Sequence, residues 1–273
     1  MDITWNYFSL LSLMLASGVV GGLLAGLLGV GGGIVVVPVL EFTLGILGVD
    51  PEVRMHIAVS TSLATIIPTS ISSARAHHAR GSVDLALFRR WGPMMFIGST
   101  LGVALASVVH SAMLSLVFGS VALVVAGKML FLRDDFRLAQ HVPVHTAAFG
   151  VPVGIGAVSS MMGIGGGTLS VPVLTLLNQP VHTAVGTSAL FGLVISIPAT
   201  LGYILSGWSH ESVLPGSLGY VNVPGFLIIA PLTTWIAPYG AKLAHRLTRA
   251  TLSRLFGAFL LVVGFRMIYK ALS

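Results

Sequence analysis

The sequence predicts an all-α polytopic membrane protein built as two inverted repeats of five segments, with helices broken at glycine. Three observations carry that reading. Of 273 residues, 55% are hydrophobic and 8% charged, with a mean hydropathy of +0.97, whereas a soluble domain carries about 25% charged residues. Apolar runs of near-spanning length recur along the whole chain, which excludes a single anchor bearing a soluble domain. The third observation is a paired motif. G-[VI]-G-G-G-x-[VL]-x-V-P-V-L runs from Gly29 to Leu40 and again from Gly163 to Leu174, 134 residues on. Each glycine costs a helix roughly 1 kcal/mol relative to alanine, so a triple glycine inside apolar sequence implies a need for bare backbone.

Ten apolar segments lie near residues 5–28, 33–48, 56–76, 90–109, 112–132, 146–163, 167–178, 182–207, 223–241 and 253–271. The first lacks a basic n-region, so no cleaved signal peptide is read there. Segment two follows the first glycine block. Segment three opens after Asp50-Pro51-Glu52, an N-cap followed by a first-turn proline. It carries His56, Ala58, Val59, Thr61 and Ser62, which recur as His182, Ala184, Val185, Thr187 and Ser188 in segment eight, at an offset of 126. Segments four and five recur in nine and ten at an offset of 138: Pro93 with Pro231, Gly102 with Gly240, Phe118-Gly119 with Phe256-Gly257, and Lys128-Met129 with Arg266-Met267. The repeat thus divides the chain into 1–132, a polar linker 133–145 expected on the cytoplasmic side, and 146–273.

Basic loops set the orientation. Arg75, Arg80, Arg89 and Arg90 follow segment three, and Lys242, Arg246, Arg249 and Arg254 follow segment nine. The loop after segment four and the 208–222 loop have neither Lys nor Arg. Placing the basic loops inside puts both termini outside. The same repeat element is then basic in one half and neutral in the other, as opposite insertion of two halves requires. An odd number of crossings per half is needed, met by five crossings or by three plus a re-entrant hairpin. Segment seven, Thr168 to Asn178, has 11 residues, or about 16 Å, roughly half of a 30 Å core. Half-depth helices after each glycine turn are therefore favoured.

Non-helical backbone at membrane depth survives where protein or a water-filled cavity satisfies it. A helix starting just after Gly33 or Gly167 offers unpaired N–H groups and a positive dipole end, both suited to an anion. Gly31, Gly32, Gly33, Gly165, Gly166 and Gly167 are thus candidate substrate contacts, with close helix packing as the competing reading. The hydroxyls of Thr61, Ser62, Thr187 and Ser188 would donate to an oxyanion without adding charge; back-bonding to their own helices competes. Glu41, within a short apolar helix, is a candidate proton-coupling group, set against a carboxylate near the helix exit in reach of water. His56 and His182 are weaker coupling candidates, set against interfacial or capping histidines. Lys128 and Arg266 read as snorkelling cations. No acidic cluster lines the spans, which argues against divalent-cation transport; no P-loop is present, which excludes ATP hydrolysis in this chain; and histidines lack metal-ligand spacing, so no cofactor is expected.

With both glycine blocks, both V-P-V-L tails and both A-V-[SG]-T-S elements in place, the chain resembles the TauE/SafE family of sulfite exporters over nearly its full length. One departure is Ser60, where the second half has Gly186. The resemblance implies a multi-spanning protein of the prokaryotic cytoplasmic membrane that moves sulfite or organic sulfur anions, often outward. The expected function is a secondary transporter of sulfite or small organosulfonates working by alternating access, not an enzyme. An uncoupled anion channel and a non-transporting scaffold subunit are the alternatives. Expected partners are the small sulfur-containing anion and membrane lipid, with no nucleic acid; a homo-oligomer is a candidate assembly. Replacing Gly166 by Val is expected to abolish transport while leaving folding largely intact.

Overall fold

A computed structural model describes residues 12, 14–16, 18–23, 32–131, 149–210, 214, 216–244 and 249–272. Gly31 and the 133–145 linker lie outside them. The described residues form ten helices: α1 (Met14–Leu23), then α2 (Gly33–Ile46), α3 (Pro51–Ala79), α4 (Leu85–Ala106), α5 (Ser111–Phe131), α6 (Gly150–Met162), α7 (Gly166–Leu176), α8 (Val181–Ser206), α9 (Val223–Ala244) and α10 (Arg249–Leu272).

Local chemistry sets the helix ends. The Asp50 side chain accepts from Glu52 N–H at 3.0 Å, and Pro51 opens α3, because a proline in the first turn lacks an N–H that would go unpaired there anyway. Asp84 caps α4 by accepting from Leu87 N–H at 2.9 Å. Gly163 ends α6 in the left-handed region at φ 69°, and Gly32 precedes α2 at φ 75°; glycine adopts such angles without a Cβ clash. The all-helical expectation misses one feature. Within the 208–222 loop, β1 (Ser217–Leu218) and β2 (Val221–Asn222) pair antiparallel across Gly219-Tyr220. Gly219, at φ 52°, supplies the positive φ that a two-residue hairpin turn needs.

The helix directions follow from contacts. Near its start α3 meets the segment after α8, through Ser60 and Tyr220, and α8 near its start meets the segment after α3, through Thr187 and Asp84. The two therefore run antiparallel. Ser99 with Ile195, and Val103 with Gly202, advance together, so α4 runs with α8. On α6, Val153 meets Gly98, while Ser160 meets Gly102 and Tyr203, so α6 also runs with α8. In α7 the start meets Phe191, and four residues join its end to the start of α8, so α7 runs against α8 and the chain reverses at Gly163–Gly165. Likewise α2 runs against α3, Gly33 meeting Ser62 and Gly45 meeting Arg54.

Polarity is inverted relative to a soluble protein. The hydroxyls of Ser60, Thr61, Ser62, Ser99, Ser170, Thr187 and Ser196 belong to fully buried residues, while Leu205, Leu227 and Trp235 are exposed. Four helices among the described residues are long and apolar enough to span a bilayer: α3, α5, α8 and Arg254–Leu272 of α10. An apolar exterior of this kind suits lipid. The chain is an integral membrane protein.

Candidate functional site

The two glycine breaks meet. A Cβ on Gly33 would lie 2.5 Å from Gly163 O, 2.9 Å from Ile66 Cδ1 and 3.0 Å from Ser62 Oγ. A Cβ on Gly163 would lie 2.7 Å from Val37 Cγ2 and 2.8 Å from Val59 Cα. Only bare backbone permits these approaches. The starts of α2 and α7 therefore stand together beside the middle of α3, and the two helices run from there toward opposite ends of the antiparallel α3·α8 pair. Ser62 Oγ donates to Gly163 O at 2.7 Å, holding the break of one half to a helix of the other.

A pattern that motif reading missed lines this junction. Ser62, Ile66 and Ser70 recur every four residues on one face of α3. At the offset of 126 they correspond to Ser188, Gly192 and Ser196 on α8. The two stripes face each other: Ser70 Oγ lies against Gly192, and Ile66 Cγ2 would lie 3.8 Å from a Cβ there. Gly166 packs on the same face of α8, at Phe191 and Gly192. Extending the Thr-Ser motif by two turns in each half would have found Ser70 and Ser196.

Among the described residues, the buried hydroxyls without a partner are on the second-half side. Ser188, Ser196, Thr168 and Ser170 are buried, and their hydroxyls have no hydrogen-bond partner among the described residues. No hydrogen bond joins Gly166 N–H or Gly167 N–H, the first amides of α7, to another described residue. Buried polar atoms are normally paired. This concentration of free donors is suited to an acceptor-only ligand.

Thr61 and Thr187 are engaged differently. Thr61 Oγ1 accepts from Asn222 N–H at 2.9 Å, and Thr187 Oγ1 accepts from Asp84 N–H at 2.9 Å. Asn222 in turn accepts from Gly225 N–H at 2.8 Å in the first turn of α9, as Asp84 does in α4. Each threonine thus anchors the entry to the helix that follows the opposite long helix. Thr61→Ala and Thr187→Ala are each expected to cost about 1–3 kcal/mol, because a buried amide loses its acceptor, while Thr→Ser retains most of the stability. Unfolding in detergent checks this; equal losses for Ala and Ser would argue against it. The departure between Ser60 and Gly186 has a similar basis. Ser60 Oγ donates to Tyr220 O at 2.7 Å, whereas Ser82 O lies where a side chain on Gly186 would begin.

The candidate coupling residues separate. His56 is 4% exposed; its ring nitrogens stand 3.2 Å from Ser111 Oγ and 3.0 Å from Ala106 O, and Tyr220 stacks on it at 5.0 Å. It is a packed core histidine, neither interfacial nor capping, whereas His182 is exposed. Outside the spans, burial holds the Tyr220 phenol above its ordinary pKa. Glu41 is not at a wet helix exit. It is 2% exposed, receives a hydrogen bond from Lys270 Nζ, and has Arg266 3.7 Å from its other oxygen. Arg266 also sits 4.6 Å above the Phe42 ring, so it binds α2 instead of snorkelling free. Lys128 Nζ donates to Pro172 O of α7 at 3.1 Å. Cations of α5 and α10 thereby tie down α7 and α2 respectively.

Comparison with known proteins agrees with the architecture. Residues 14–267 match the family model described as Sulfite exporter TauE/SafE. A "Probable membrane transporter protein" of Haemophilus influenzae is 32% identical over 265 residues, covering 96% of this chain and 100% of the relative. "Probable membrane transporter protein YunE" of Bacillus subtilis is 25% identical over 284 residues, covering 95% of this chain and 98% of the relative. A further "Probable membrane transporter protein", of Xylella fastidiosa, is 26% identical over 269 residues, covering 94% of each chain. No solved structure matches. With the family model matched over most of its length, the chain belongs to the TauE/SafE sulfite exporter family of membrane transporters.

Proposed function

We propose that this transporter carries sulfite or small organosulfonate anions out across the prokaryotic cytoplasmic membrane by alternating access, as a secondary carrier. One observation carries the reading: the starts of α2 and α7 converge beside the middle of α3, next to free amides and unpaired hydroxyls. An oxyanion there would accept from Gly166 and Gly167 N–H and from Ser188, with Gly165 beside those amides and Gly32, Gly33 and Ser62 shaping the opposite wall. Two helix dipoles pointing their positive ends at one centre supply the charge complement. Thr61 and Thr187 act as struts behind the proposed site.

We also read the two halves as inverted repeats, each with a re-entrant glycine hairpin. Support comes from matched contacts: Thr61 with Asn222 against Thr187 with Asp84, and α2 on α3 against α7 on α8. The basic loops then face the cytoplasm and both termini lie outside. Contact of Gly33 with Gly163 O closes the centre, which favours a carrier over a continuous pore.

The test is flux in proteoliposomes with the purified full-length chain, beside thermal unfolding in sulfite, sulfate, thiosulfate, ethanesulfonate and propanesulfonate. Saturable exchange and stabilisation by sulfite or a sulfonate are expected. Non-saturating current would identify a channel. The absence of both flux and stabilisation with every sulfur anion would leave a scaffold.

A further inference from the structure

The geometry points to Ile66 as the residue that sets the size of the anion this site admits, an inference that rests on the proposed carrier reading. Ile66 is fully buried on α3, and its side chain reaches three glycines of the junction, Gly33, Gly165 and Gly192. Ile66 Cδ1 is 2.9 Å from a Cβ built on Gly33; Ile66 Cγ2 is 3.1 Å from one on Gly165 and 3.8 Å from one on Gly192. Among the described residues, Ile66 is the side chain that stands with the nearest neighbours of all three positions.

The stripes also show what is unusual about this position. Serines stand one turn to either side of it, Ser62 and Ser70 on α3, and Ser188 and Ser196 occupy the corresponding places on α8. Between the serines, α8 has Gly192, which has no side chain, while α3 has a branched four-carbon one. The serines are thus matched in position across the junction, and the volume between them is not. Ile66 fills the space that three glycines leave, beside the free amides of α7. Shortening it opens room at the substituent end of the ligand and removes no hydrogen-bond donor.

The experiment compares sulfite with ethanesulfonate, which adds an ethyl group to the same kind of oxyanion head. The full-length wild type, Ile66→Val and Ile66→Ala are reconstituted, and kcat/KM for each anion is measured from initial flux. A methylene in an apolar pocket changes discrimination by about 10–200-fold. The ethanesulfonate-to-sulfite ratio is therefore expected to rise about tenfold in Ile66→Val and further in Ile66→Ala, with sulfite flux retained. A ratio unchanged in both variants, while sulfite still moves, assigns Ile66 to core packing and overturns the inference alone. Ile66→Val removes one carbon, so it decides the matter even where Ile66→Ala fails to fold. Wild-type protein that neither moves nor is stabilised by any of the sulfur anions overturns the carrier reading itself, a separate and recognisable result.

Discussion

Gly166→Val is expected to abolish flux and, contrary to the expectation from sequence alone, to destabilise the protein as well. The first added carbon would already stand 2.7 Å from Phe191 Cβ, 2.9 Å from Phe191 C and 3.1 Å from Gly192 N. Two of these atoms are backbone within α8, which cannot give way as a flexible side chain can. The start of α7 must therefore move off α8, taking the free amides with it. Overpacking of this kind costs roughly 1–3 kcal/mol for one small group, so Gly166→Ala should already lose that much and valine more. Gly154 supplies the control, because it lies in the preceding helix and no described residue stands within 4 Å of its Cβ position. Gly154→Ala should be neutral or gain about 0.5–1 kcal/mol through helix propensity. Unfolding midpoints in detergent and initial flux read both effects. Wild-type flux and stability in Gly166→Val would remove the glycine junction from consideration as the site.

The second large effect concerns Glu41. Its side chain is 3% exposed, against 42% for Arg266 and 37% for Lys270. That asymmetry decides which partner it is costly to delete. Removing Glu41 leaves two cations that are themselves part-exposed, so Glu41→Gln should cost only about 1 kcal/mol. Removing both cations leaves a carboxylate buried without compensation, and breaking a buried pair in this way costs about 3–5 kcal/mol. The double variant Arg266→Met with Lys270→Met should therefore be much less stable than Glu41→Gln, and adding Glu41→Gln to it should restore most of the loss. Thermal unfolding of the four proteins forms the cycle. A double variant as stable as the wild type, or no rescue in the triple, would show that the cluster contributes little. The same comparison addresses coupling. Proton-dependent flux that survives in Glu41→Gln would assign Glu41 to tethering α2 against α10.

Much of this architecture was legible because a bilayer restricts what a chain can do. Helix positions followed from apolar run length, and the ends from local chemistry. Asp50 before Pro51 is a cap that both sequence and structure show, while Asp84 and Asn222, which also accept from first-turn amides, are single polar residues with no motif to announce them. The β1–β2 turn was too short to leave a periodic signal. Glu41 was visible as an oddity, but its partners lie 225 and 229 residues away on α10, and nothing local in the sequence connects them.

The glycine blocks mark the same boundary. The residues alone say that bare backbone is needed twice, at matching places, next to helices carrying matching hydroxyls, because glycine inside an apolar helix has a cost that only a special backbone requirement offsets. Tertiary structure alone decided how those hydroxyls divide. Thr61 and Thr187 face the helix entries, Ser62 spans to the opposite break, and Ser188 and Ser196 remain unpaired. Neighbouring residues on a helix point about 100° apart, so which of two adjacent hydroxyls meets a glycine break depends on where another helix crosses. That crossing also put Ile66 among three glycines, a placement with no local signature in the chain.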